Sequence, residues 1–460
     1  MAFVGRLGGD SGIQALQRNL LEISRIGERL SSGRRINRAA DDPAGLAISE
    51  SLRAQLAGVE QAIGNTQRAS SVVRVAEEGI AEVSQLLVRA KELALSSADG
   101  SLLDTEVDAN QQELDGILRS IDRIAGTTDF AGERLLDGTQ DFLRRNVDAA
   151  FRRIEVNRAE IAPGGTTFEV DVSAASTQAQ AGGTIAAVQA GAATFQVTGS
   201  LGTEAVTVAD GATREETAEA INAVRESTGV QADATTGVVS STGYGSASFV
   251  NLRNESGTLS GVTEGRTAGT DIVATVSGEA VSSRGNRIFF QTGALEGEAL
   301  LADGTGAGTY RFTIAGGGTS VQTGEGTNPN ERIRFGIHGV RTSDLGLAEA
   351  PGGLSQLSRG GAYDLRNDAG GASRIIDAAI ADVARSRGGL GALERQAFDS
   401  NVNTLSIARE NLAAAESSIA DTDFARSIAE FIAARIRSQA QFSVLAQRNA
   451  LAGNALNLLG

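Results

Sequence analysis

At both ends of the chain, apolar residues recur at alternating three- and four-residue steps. Residues 11–32 place Ile13, Leu16, Leu20, Ile23 and Leu30 in this way, and residues 424–459 place Phe424, Ile428, Phe431, Phe442, Leu445, Ala452, Leu456 and Leu459. The spacing predicts two helices, each with one narrow apolar seam of the coiled-coil kind. A seam at one end can pair with the seam at the other end or with those of further copies. The pattern predicts a rod-forming subunit.

Polar punctuation sets the helix limits. Asp10-Ser11 offers a cap for the first helix, which runs to about Ser32 and stops at Gly33. Asp42-Pro43 reads as N-cap plus first-turn proline. From Ala44 to Ala98 no proline interrupts, and Leu46, Leu52, Leu56, Val59, Ile63, Val72, Val83, Leu86 and Leu93 keep helical period. Such a helix would be about 80 Å long. A third helix is predicted over 104–125. Helix resumes near Ala372 and continues to about 420, with a weak point at Gly388-Gly389. Residues Ala420–Asp423 offer a break before the last helix.

The middle follows a different pattern. Of the 57 glycines, 36 lie between 141 and 370. Period-two runs at Phe168, Val170 and Val172, at Phe195 and Val197, at Val206 and Val208, and at Ile333, Phe335 and Ile337 read as half-buried strands between turns. Thr213 with Glu216 forms a capping box ahead of Ala220, Ile221 and Val224. The expected fold is α+β. A long antiparallel helical bundle or coiled coil is formed by the N- and C-terminal regions, and a β-rich outer region of one or two small domains is inserted between them.

Composition narrows the function. The chain has 460 residues, 41% hydrophobic but only 4% aromatic, without Trp or Cys. The absence of Cys excludes disulfides and thiolate metal sites. A net charge of −15 argues against a nucleic-acid partner. No stretch of about 18 apolar residues is present, so no membrane insertion is expected. No Sec-type signal is visible at MAFVGRLGGDSG. His338, the single histidine, falls on the polar face of the 333–337 run and is expected to be solvated. Asp41 and Asp42 are expected to cap and brace the loop rather than bind metal. Neither catalysis nor a cofactor is expected.

Two motifs carry a family resemblance. Leu30-Ser31-Ser32-Gly33-Arg34-Arg35-Ile36-Asn37, followed by Asp41-Asp42-Pro43-Ala44-Gly45-Leu46-Ala47-Ile48, resembles the N-terminal signature of bacterial flagellin, the subunit of the flagellar filament. Ser418-Ile419-Ala420-Asp421-Thr422-Asp423-Phe424-Ala425, with the tail to Leu458-Leu459, resembles its C-terminal motif. The signature residues are Leu30, Ser31, Gly33, Arg35, Ile36, Asn37, Asp41, Asp42, Gly45, Asp421 and Asp423. The stretch from about 195 to 255 is similar to a repeat module of flagellin insertions. Gly8–Gly12 replaces the family's usual Asn-Thr-Asn start, and Pro43 stands where many members have Ala.

The resemblance implies a division of labour. Residues 1–43 with 421–460 would form a terminal coiled-coil core, 44–140 with 345–420 a helical rod, and 141–344 a surface-exposed insertion. The terminal helices would be unfolded in the monomer and ordered on assembly into a helical homopolymer. Their intersubunit seam would comprise Ile13, Leu16, Leu20, Ile23, Leu30, Ile428, Phe431, Phe442, Leu445, Leu456 and Leu459. The chain would leave the cell by type III export without a cleaved signal, assisted by an export chaperone, and would meet cap and junction proteins in an extracellular flagellum. Arg89, Glu92, Leu93 and Glu113 match a patch recognised by a vertebrate Toll-like receptor. The alternatives are a hook–filament junction protein or a secreted adhesin.

Overall fold

The computed structural model describes residues 2–99, 101–326, 328 and 331–457, with side chains over 12–451 of that range. Its helices are α1 (Ala2–Ser32), α2 (Pro43–Ser97), α3 (Asp104–Thr127), α4 (Arg214–Ala223), α5 (Arg225–Thr228), α6 (Leu365–Ala392), α7 (Ser400–Ala420) and α8 (Phe424–Asn457). Two compact units divide the chain. One comprises 1–67, 322–331 and 399–460, and the other comprises 68–321 and 332–398.

In the first unit α1 lies against α8, and α7 runs antiparallel to the first half of α2. Glu416 accepts from Ser49 (3.2 Å) and Arg53 (2.8 Å), and Asn401 donates to Thr66 (3.2 Å). α1 begins at Ala2, which overturns the start expected after Asp10-Ser11. Glycine within a helix costs only about 1 kcal/mol, so Gly8, Gly9 and Gly12 weaken the helix without ending it.

The second unit is built on a helical core. Along α2 the buried set Ala69, Val73, Ala76, Ile80, Val83, Leu87, Ala90 and Ala94 steps by four and three without a fault. It packs with Leu114, Leu118 and Ile121 of α3 and with Ala372, Ile376, Ala379 and Val383 of α6. α6 opens with one turn capped by Asp364 and kinks at Asp368 (φ −154°, ψ 80°). The Asp368 carboxylate then accepts from Gly371 N–H at 2.6 Å and starts the regular helix, close to the expected Ala372. Gly388-Gly389 stays helical. The irregularity comes later, as a π-helical turn over Leu393–Asp399.

The inserted region has two further cores. The first lies between a five-stranded sheet (order 279–280, 273–276, 166–174, 308–317, 142–145) and a six-stranded sheet (order 282–284, 287–291, 295–301, 151–159, 332–335, 319–322). Phe151, Phe168, Phe290 and Phe312 fill it, with Phe312 central at 5.5–6.0 Å from the other three rings. The second core joins Phe195, Val197, Val206, Val208, Val230, Val239, Val250 and Leu252 under α4. Thr213 and Glu216 form the predicted capping box of α4.

His338 is not solvated, which corrects the sequence expectation. Its side chain is 12% exposed, with Nδ1 3.3 Å from Asp141 Oδ1 and Nε2 3.1 Å from Asn157 Oδ1. The strand ends at Phe335, so the alternation that put His338 outside no longer applies three residues later.

Candidate functional site

The residues of the two signature motifs meet in one joint. Gly33 ends α1 with φ 73°, a left-handed conformation that glycine adopts without strain. Opposite it lies the break between α7 and α8. The two breaks pair as an isolated antiparallel bridge between Arg34 and Asp421. Arg35 N–H donates to the Ala420 carbonyl at 2.7 Å, and Thr422 N–H donates to the Gly33 carbonyl at 2.9 Å. The Arg35 guanidinium extends the contact, donating from Nε and Nη2 to the Ile419 carbonyl at 3.1 and 2.6 Å. Carbonyls in the last turn of a helix lack intrahelical donors and favour a cation. Arg35 therefore supplies to the end of α7 what its own chain cannot.

Aspartates brace each side. Asp41 Oδ2 accepts from the N–H groups of Asn37 (3.2 Å) and Arg38 (3.1 Å). Those backbone bonds hold its carboxyl below the usual carboxylate value. Asp42 Oδ1 accepts from Gly45 N–H at 2.9 Å as the N-cap of α2, and its Oδ2 lies 3.5 Å from Arg35. Asp421 accepts from Ser417 Oγ at 2.6 Å, and Asp423 caps α8 through Arg426 N–H at 3.1 Å. Ile36 is buried in the joint. Gly45 lies so close that a Cβ there would fall 2.8 Å from Ile36 Cδ1. Of the N-terminal signature, Leu30 is half-buried above the joint and Ser31 faces outward.

Above the joint α1 and α8 continue as an antiparallel pair in one register. Gly33 sits opposite Phe424, Gly27 opposite Phe431 and Gly12 opposite Leu445, with a glycine Cβ placed 3.9, 4.0 and 3.3 Å from those side chains. Arg437 reaches Glu22 at 3.3 Å. The residues facing inward are Gly12, Leu16, Asn19, Ile23, Ile26 and Leu30 on α1, and Ser427, Phe431, Ala434, Ser438, Gln441 and Leu445 on α8. Both sets step by four and three.

The expected seam residues therefore divide. Leu16, Ile23, Leu30, Phe431 and Leu445 lie half-buried between α1 and α8. Ile13, Leu20, Ile428 and Phe442 are exposed, together with Leu21, Phe424, Ile432, Ile436, Val444 and Leu451. Leu459 lies outside the described residues, as does the side chain of Leu456. Asn19, Ser427, Ala434 and Gln441 were missed because a search for large apolar residues passes over them. Admitting polar and small residues to the same four-three spacing would have found them.

Of the second residue set, Arg89 joins Glu92 and Glu113 on the surface, each at 2.8 Å. Hydrogen bonds that Arg89 donates to both glutamates, that to Glu113 first, raise its pKa further. Leu93 points the other way, into the helical core.

These features define a subunit organised around its own two chain ends. Among the described residues no helix is long and apolar enough to cross a membrane. The model of the bacterial flagellin N-terminal helical region matches residues 12–141, and that of the C-terminal helical region matches 373–459. A flagellin of Clostridium tyrobutyricum is 27% identical over 452 residues, covering 96% of this chain and 97% of that protein. Polar flagellin F of Vibrio parahaemolyticus is 27% identical over 437 residues, covering 94% and 92%. A flagellin of Halalkalibacterium halodurans is 42% identical over 131 residues, 28% of this chain and 48% of that protein. The chain belongs to the bacterial flagellin family, a family of structural proteins.

Proposed function

We propose that this flagellin builds the filament of the bacterial flagellum for swimming, and that its terminal helix pair is the assembling part. One observation carries the reading: the pair covers only part of its apolar surface. Among its described side chains, Ile26 and Ala434 are the apolar ones it buries, while Ile432, Ile436 and Val444 remain 52%, 60% and 59% exposed. Ordering the backbone costs about 1–2 kcal/mol per residue, and α1 alone has 31 residues. Fully burying a large apolar side chain returns about 1.5–3 kcal/mol. A lone pair falls short, and further copies covering the exposed residues make up the difference. The terminal helices are thus unfolded in the monomer and ordered in the polymer, with Ile13, Leu20, Ile428 and Phe442 among the residues that face neighbouring copies.

In the filament, residues 1–43 with 421–460 form the core, 44–140 with 345–420 the rod layer, and 141–344 the outer surface. The family resemblance supports export without a cleaved signal peptide, an export chaperone, and contact with cap and junction proteins. The exposed Arg89, Glu92 and Glu113 cluster supports recognition by a vertebrate Toll-like receptor, with Leu93 holding the helix from beneath.

Electron microscopy of the concentrated protein tests the assembly. Tubes of uniform diameter are expected. Chains lacking residues 1–35 or 425–460 should form none while their β-rich cores still melt cooperatively. Normal tubes from either truncation would overturn the reading.

A further inference from the structure

We propose that Asn19 is the residue that sets the register between the two terminal helices, by discriminating against sliding of α8 along α1 by a heptad. The inference rests on the assembly reading and adds to it which residue selects one alignment among several. A four-three seam repeats every seven residues, so apolar contacts alone leave such alignments similar in energy. Asn19 breaks the degeneracy.

It is 5% exposed and lies level with Ser438, itself 6% exposed, in the middle of the pair. Its Nδ2 donates to the Ala434 carbonyl at 3.0 Å and approaches Gln441 Oε1 at 3.5 Å. Ala434 is fully buried, and its small side chain lets the amide reach the backbone. The facing stretch Ala434, Ser438 and Gln441 is where the α8 seam is small or polar. Sliding α8 by seven residues in either direction would set Asn19 level with Phe431 or Leu445 in place of Ser438. The amide would then lie against a large apolar side chain in place of the small Ser438 and would lose the bonds it makes at Ala434 and Gln441, which is unfavourable. Asn19 Oδ1 already lacks a hydrogen-bond partner among the described residues. The native register thus satisfies the donor half of the amide.

The chain has no cysteine, so paired cysteines report register cleanly. Glu22→Cys with Arg437→Cys marks the native register, because those residues pair at 3.3 Å on the exposed flank. Glu22→Cys with Glu430→Cys, and Glu22→Cys with Val444→Cys, mark slips of one heptad in each direction. A slip moves a site by about 10 Å, which a short bismaleimide resolves. Each pair is introduced into the full chain and copolymerised with excess wild-type protein, and cross-linking is scored in the filaments. With Asn19 present, only the native pair should cross-link. With Asn19→Leu, the slipped pairs should rise at least fivefold, or the variant should be excluded from filaments. The exchange Asn19→Ser with Ser438→Asn should restore native-only cross-linking and entry. Asn19→Leu that enters filaments and cross-links only at the native pair overturns the proposal, as does an exchange that restores nothing. If the cysteine-bearing chains with Asn19 intact form no filaments, the assembly reading has failed instead.

Discussion

Thr177 and Thr270 close the outer core at its base: Thr177 N–H donates to the Thr270 carbonyl at 3.0 Å, and Thr270 N–H donates back to Thr177 Oγ1 at 3.0 Å. The chain thus enters and leaves the core around Phe195, Val250 and Ile221 at one point. Asp271 adds ties at the base, accepting from Ser246 N–H (2.9 Å) and Gly285 N–H (2.7 Å).

A segment with adjacent ends and its own core should be removable. Replacing residues 178–269 by two glycines should leave the remaining cores folded and polymerisation intact, with thinner filaments. Circular dichroism melts and filament diameters check this. A shortened chain that fails to melt cooperatively would show that the two inserted cores fold as one.

Much of this was legible in the sequence because local rules carried it. Asp42-Pro43 and Thr213 with Glu216 announced their helices through hydrogen bonds that span only three or four residues. The pairing of the strand 166–174 with 308–317 was not legible, because nothing local links Phe168 to Phe312 across the intervening chain. The seam between α1 and α8 was half legible. Leu16 and Ile23 follow from hydrophobic spacing, whereas Asn19 and Ser427 count as core only once the opposite helix is in place. His338 was misplaced because a period-two rule was carried past the strand that obeys it.

The buried His338 makes stability depend on pH. Burial opposes the imidazolium, but the hydrogen bond and charge of Asp141, helped by Glu155 and opposed by Arg144, more than offset it and raise the His338 pKa. Burial likewise opposes the Asp141 carboxylate, which His338 and Arg144 hold below its usual value. The histidine's contribution is therefore complete below its ordinary value of about 6.5 and is lost as pH rises through the raised folded value. The aspartate's is lost only as pH falls through its lowered one. His338→Gln should cost more at pH 6 than at pH 9, by about 1 kcal/mol. Urea midpoints at both pH values measure the gap. An equal gap at each would refute the charged pair.

Asp382 anchors α6 to the inserted sheet. Its side chain is 1% exposed, pairs with Arg153 at 2.5 Å and also with Arg385, and accepts from Gly346 N–H at 2.9 Å. Removing one partner of a buried ion pair costs about 3–5 kcal/mol, since the other charge stays buried. Glu155 remains on Arg153 and Glu298 on Arg385, at 2.6 and 2.9 Å. Asp382→Ala should therefore lie at the lower end, about 3 kcal/mol. Adding Arg153→Met should deepen the loss, because it leaves the buried Glu155 without its ion-pair partner. Urea unfolding of the three chains decides, and a loss under about 1 kcal/mol would mean the remaining glutamates suffice.

Gly45 tests whether the joint between the chain ends is as tightly packed as described. A Cβ there would lie 2.8 Å from both Ile36 Cδ1 and Asp42 Cγ. Such crowding costs about 1–3 kcal/mol, while replacing a helical glycine by alanine gains about 1 kcal/mol. Crowding should win, because Asp42 is held by its bond to Gly45 N–H and Ile36 is buried. Gly64, on the same helix, has no neighbour among the described residues within 4 Å of its Cβ position, so Gly64→Ala should keep only the gain. Arg34, Arg35 and Arg38 make the joint a trypsin substrate once it opens. On assembled filaments Gly45→Ala should be cut there about fivefold faster than wild type, a factor matching roughly 1 kcal/mol, and Gly64→Ala no faster. Equal cleavage of the two variants would mean that Gly45 is not held between Ile36 and Asp42 in the filament.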